Sequence, residues 1–99
     1  MRLYYATKHL DRLASDRTYR PKGIHPDVVR AFRKTVGLVA AAKTRQDLRA
    51  MKSLRLEKLS GDRKGKYSMR VNDQWRIIAS FDSKTTEWTI TILELIDYH

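Results

Sequence analysis

The sequence predicts an α+β fold in which N-terminal helices pack on a largely antiparallel sheet, and three observations predict it. Apolar residues recur at helical spacing in the first half of the chain, the period changes to two after Lys52, and Pro, Gly and Asn-Asp breaks separate the runs. Ninety-nine residues make one domain, 1–99, because two halves of that size could not each bury a useful core. Hydrophobic residues at 41% and charged residues at 32% are globular usage, which argues against disorder despite a mean hydropathy of -0.60.

The elements follow in order. Arg2 to Ala6 reads as a short strand with Leu3 and Tyr5 on one face. Thr7 can cap a helix that buries Leu10, Leu13 and Ala14. Ser15 to Ile24 keeps no period, and Pro21 with Gly23 marks it as a basic loop. His25-Pro26-Asp27 is a helix start, with proline at the first helical position and an acid placed well for the macrodipole. That helix should run to about Ala42 and bury Val29, Phe32, Val36 and Val39, leaving Arg30, Arg33 and Lys34 outside the stripe. Thr44 and Asp47 resemble a capping box for a short helix around Leu48 and Met51. A strand is then expected from Leu54 and Leu56, alternating with Arg55 and Glu57, until Ser60-Gly61-Asp62 breaks it. Tyr67, Met69 and Val71, the turn at Asn72-Asp73, and Trp75, Ile77, Ala79 and Phe81 make a hairpin. After a turn over Asp82 to Thr86, Trp88 to Ile96 gives a third strand of the meander.

Charge and absent motifs narrow the function. The 21 Lys+Arg against 11 Asp+Glu give a net charge of +10, which points to a polyanionic partner: nucleic acid, an acidic membrane surface or an acidic protein. No stretch is long and apolar enough for a membrane span or a signal-peptide core, so a soluble cytoplasmic protein with no membrane partner is expected. There is no cysteine, and the three histidines are far apart, so no metal site and no cofactor are expected. Phosphate-binding glycine loops, zinc-protease and serine-hydrolase motifs are also missing.

Arg55 and Glu57, Ser68 and Arg70, and Arg76 all avoid the apolar alternation and so could share the polar face of the sheet. Arginines there suit phosphate, since a guanidinium offers several fixed donors and stays charged. Solvated residues in surface ion pairs are the plainer alternative, and both readings stand. Asp97-Tyr98-His99 follows an apolar strand with an acid, a phenol and an imidazole. An imidazole can give or take a proton at neutral pH, and a tyrosine ring can stack on a base. RNA brings its own nucleophile in the 2'-hydroxyl, so a base, an acid and a cation suffice without a metal.

The run from Arg55 to Arg63, Gly65, the run from Ser68 to Arg76, and the ending Asp97-Tyr98-His99 together resemble the HigB-type toxins of bacterial toxin-antitoxin systems, a branch of the RelE/ParE superfamily. The resemblance covers residues 55–99 in motif, and the helical half in order of elements. It implies a RelE-like fold and a ribosome-dependent mRNA endonuclease, silenced by a HigA-like helix-turn-helix antitoxin. Carried over by position, Arg76 would stabilise the scissile phosphate, Asp97 and His99 would supply acid-base chemistry, and Tyr98 would orient or stack the substrate. Some family members have histidine where this chain has Glu57, and lysine where it has Ser60. Glu57 is then either the general base or a structural partner of Arg55 or Arg76. Arg55, Lys58, Arg63, Lys64, Lys66 and Arg70 are expected to bind RNA, with Arg63, Lys64 and Lys66 in a loop suited to ribosomal RNA or merely to solubility. Two alternatives stay open: a ParE-like inhibitor that binds gyrase without chemistry, and a non-catalytic RNA-binding regulator.

Overall fold

Alternation decides which side of a sheet each residue takes, and hydrogen-bonded register carries that choice from strand to strand. The computed structural model describes residues 1–82 and 88–97. Its strands are β1 (Arg2–Tyr5), β2 (Glu57–Lys58), β3 (Tyr67–Arg70), β4 (Trp75–Asp82) and β5 (Thr89–Asp97); its helices are α1 (Lys8–Ser15), α2 (Pro26–Ala41) and α3 (Arg45–Ala50). They form one five-stranded sheet in the order β1-β5-β4-β3-β2. Every pairing is antiparallel except β1 with β5, where Leu3 lies against Ile90 and Tyr5 against Ile92. The expected largely antiparallel α+β architecture is what forms.

The helices begin where their caps dictate. Thr7 Oγ1 accepts from the Leu10 amide at 3.2 Å to start α1. His25 Nδ1 accepts from the Asp27 amide at 3.0 Å, with Pro26 opening α2. Thr44 and Asp47 close a reciprocal capping box on α3, with aspartate in the place usually held by Glu or Gln. The three helices bury Leu10, Leu13, Phe32, Val36, Val39 and Leu48 against Met69, Ile77, Ala79, Ile90 and Ile92 of the sheet. One face of the sheet therefore carries the main core.

Two larger departures from expectation are the start of β2 and the burial of Ile78. The strand expected from Leu54 is only the two residues of β2, because Lys52–Leu54 makes a single 3-10 turn that ends with Arg55 in the left-handed region, φ 46°. Leu54 is 1% exposed, so the turn buries it as a strand would. On β4, Ile78 alternates with the core positions yet is also 1% exposed, outside the main cluster. It therefore belongs to the sheet's other face. A bulge between Ile78 and Ala79 leaves Leu93 extra on β5, since Ile78 pairs Glu94 and Ala79 pairs Ile92. Asp82 closes β4, and the rest of the turn expected over Asp82 to Thr86 lies outside the described residues.

Candidate functional site

The face turned away from the helices is assembled rung by rung. One rung runs Glu57, Ser68, Ile78, Glu94 across β2, β3, β4 and β5. The next runs Arg70, Arg76, Ile96. Residues directly opposite on antiparallel strands have Cβ atoms about 4.5–5.5 Å apart, so Arg70 and Arg76 stand side by side, next to the Glu57 rung. Of the five residues expected on one face, the register places Glu57, Ser68, Arg70 and Arg76 there, whereas Arg55 precedes β2 in the left-handed turn and has no place in the register.

Each arginine is held. An Arg76 guanidinium nitrogen donates to the Arg55 carbonyl at 2.8 Å, and the left-handed turn at Arg55 is what presents that oxygen. Arg70 pairs with Asp73, three residues on in the β3–β4 turn. Asn72 shapes that turn, its side-chain oxygen accepting from the Gln74 amide at 2.9 Å and the Trp75 amide at 2.8 Å. Glu57 is exposed, and no hydrogen bond or ion pair joins it to Arg55 or Arg76 among the described residues. Its carboxylate faces solvent beside the arginine rung.

Arg63, in the loop before β3, has a partner within the protein. It follows β2, at one side of the sheet, yet forms an ion pair with Glu94 on β5. The Glu94 hydrogen bond, with its charge second, holds the Arg63 guanidinium above its ordinary pKa. Because β3 and β4 lie between, the pair crosses the rung that contains Ser68 and Ile78. Both of those residues are 1% exposed on a face without helices. Sequence reasoning missed Glu94, although a lone acid within the apolar run from Ile90 to Ile96 was its signal.

The remaining candidates scatter. Lys58 lies opposite Tyr67, out of phase with Glu57, and so takes the other side of the sheet. Arg55 offers the site its carbonyl while its side chain is exposed; Lys64 is exposed and Lys66 half-buried in the loop before β3. Asp97 opposes Trp75, one residue out of phase with Arg76, and its Oδ2 accepts from Gln74 Nε2 at 3.0 Å. Tyr98 and His99 lie outside the described residues. Among the described residues no group of three or more His, Asp or Glu side chains is placed to hold a metal ion, and no helix is long and apolar enough to cross a membrane.

Comparison with known proteins gives this geometry a context. The family model of the RelE-like toxin of type II toxin-antitoxin system HigB matches residues 3–99. Among solved structures, the chain is similar to the YoeB/ParE toxin from Agrobacterium tumefaciens, with a TM-score of 0.59 at 14% identity over 100% of both chains. It is also similar to the YoeB-YefM complex from Staphylococcus aureus, with a TM-score of 0.54 at 15% identity over 100% of this chain and 97% of that one. At such identities the likeness is one of fold. Comparison with curated proteins finds no match. With the family pattern running through nearly the whole chain, and its fold shared with solved toxins, the protein belongs to the HigB-like toxins, RelE-like toxins of type II toxin-antitoxin systems.

Proposed function

We propose that this toxin is a ribosome-dependent mRNA endonuclease whose reaction needs no metal, and that it stops translation in the cytoplasm until a HigA-like helix-turn-helix antitoxin binds it. The observation that carries the reading is the placement of Arg70 directly opposite Arg76. Two guanidiniums at that spacing can both donate to the oxygens of one phosphate. The antitoxin draws support from the family and from solved relatives that are toxin-antitoxin complexes, YoeB with YefM.

In the proposed reaction Glu57 takes the proton of the 2'-hydroxyl, and the freed oxygen attacks the adjacent phosphorus. Arg76, with Arg70 beside it, holds the charge that builds on the phosphorane. The bond to the 5'-oxygen breaks as His99 gives that oxygen a proton, leaving a 2',3'-cyclic phosphate and a 5'-hydroxyl. Tyr98 stacks on a flanking base, and Asp97 assists the proton transfers from its place at the end of β5. Lys64 and Lys66 meet ribosomal RNA through its phosphates, and Arg55 adds charge beside the mRNA.

The test is mapping of 5' ends in a reconstituted translation reaction, with the purified protein and with His99→Ala. Cuts that need the ribosome, carry a 5'-hydroxyl and vanish with His99→Ala are expected. Arrest of growth or translation with transcripts whole would overturn the nuclease and favour gyrase inhibition or binding alone.

A further inference from the structure

Away from the arginine rung, at the other end of the sheet and on its helix side, one guanidinium sits among aromatic rings. Arg45 opens α3, and its Nη1 donates to the Tyr67 hydroxyl at 2.9 Å. Its central carbon lies 5.0 Å from the Trp88 ring centre, 5.5 Å from that of Tyr67 and 5.8 Å from that of Phe81. Tyr67 and Phe81 brace one another edge to face at 5.0 Å. The group is thus fixed in direction before any ligand arrives.

Among the described residues nothing neutralises its charge. No carboxylate pairs with Arg45 among the described residues. The nearby acid, Asp47, accepts instead from the Lys43 and Thr44 amides at 2.9 and 3.2 Å. Residues 43–52 hold Lys43, Arg49 and Lys52 besides Arg45, against Asp47 alone. Beside Arg45 opens a cavity of about 300 Å³ bounded by Thr44, Arg45, Gln46 and Trp88. That is the lower end of the range for small-molecule sites. It contains a cation whose other donors have no partner among the described residues, an indole and a side-chain amide.

We propose that this cavity is a second RNA site, taking one nucleotide of a single strand with its phosphate on Arg45 and its base against Trp88, the Gln46 amide meeting the base edge. Arginine and an aromatic plane are the pair that single-stranded RNA uses. An acidic peptide would match the charge but leave the indole and the amide unused. The site is separate from the arginine rung: Phe81 lies five residues along β4 from Arg76, about 17 Å at strand rise, and on the opposite face. A strand bound here is not the strand positioned for cutting, so the inference holds whether or not RNA is cleaved.

The experiment uses Trp75→Phe protein, in which Trp88 is the remaining indole, titrated with a short oligoadenylate, an abasic phosphodiester oligomer and polyglutamate. Oligoadenylate is expected to quench Trp88 fluorescence saturably. Arg45→Gln should weaken that binding about tenfold and Arg45→Lys by less, with melting curves showing both variants folded. Gln46→Ala, at the exposed rim and outside the cage, should weaken it about threefold and guards against an Arg45 variant that fails to fold. Arg76→Ala should leave the quench in place, which separates this site from the proposed cleavage centre. No quench, or equal quench by the abasic oligomer, would overturn the nucleotide site. Stronger quench by polyglutamate would overturn it in favour of an acidic protein.

Discussion

Arg70 and Arg76 are opposite neighbours of the same sign, which costs stability, and the Asp73 carboxylate that pairs with Arg70 is itself almost fully exposed and so offsets little of that cost. Arg70→Ala should therefore leave the melting temperature unchanged or slightly higher while lowering RNA cutting, a split that calorimetry and fragment mapping on one sample would show. Arg76 has a further structural duty, its bond to the Arg55 carbonyl, so Arg76→Ala is expected to lower both stability and cutting. The Arg63–Glu94 pair is more than a third exposed on each side, where such bonds contribute only about 0–1 kcal/mol. Glu94→Gln should accordingly release Arg63 with little loss of stability, and RNA binding should tighten at low salt if Arg63 then turns to phosphate. Period-two alternation made the shared face of Glu57, Ser68, Arg70 and Arg76 legible in sequence. The Arg63–Glu94 contact was not legible, because it joins residues from opposite sides of the sheet and no local pattern encodes a partner that distant. For the same reason nothing local gathers Arg45, Tyr67, Phe81 and Trp88.

At the scale of elements, caps and stripes were the most readable features, since each is a local rule satisfied by a few neighbouring residues. Thr7, Pro26 and Thr44 open their helices where expected. The strand around Leu54 was misread because a single 3-10 turn and a short strand can bury the same alternate positions, and four residues are too few to separate the two periods. The α3 cap supplies a pH test. Asp47 lies below the usual carboxylate range because the Lys43 and Thr44 amides donate to it. A carboxyl with a depressed folded pKa adds stability above its unfolded pKa, near 4, and that stability is lost as pH falls through the folded value. Asp47→Asn should flatten this acid limb of a melting-temperature profile. Thr44→Ala should cost about 1 kcal/mol in denaturant unfolding. Phe32→Ala, which empties a position with 0% exposure on α2, should cost about 3–5 kcal/mol, a large share of what so small a domain commonly has.

For the molecule as a whole, the net charge of +10 dominates its dealings with other macromolecules. Ribosome and RNA affinity should fall steeply and linearly on a log-log plot against salt, and each removed phosphate contact should reduce the slope by about one unit. A slope unchanged in an Arg45→Gln, Lys64→Gln double variant would show that neither residue meets phosphate.

The pairing of β1 with β5 has a consequence for how such a toxin comes into being. Its first strand finds its neighbour only in the last, Arg2 lying against Thr89. During synthesis β1 must wait, unpaired, until β5 has been made, and contacts so distant in sequence form late because their loop must close first. A nascent chain stopped anywhere before β5 has no way to complete the sheet, and its Ile77 and Ala79 lack the strand that flanks them. Closure of the sheet is thereby timed to the synthesis of β5, and any chain halted before Thr89 leaves β1 without its neighbour.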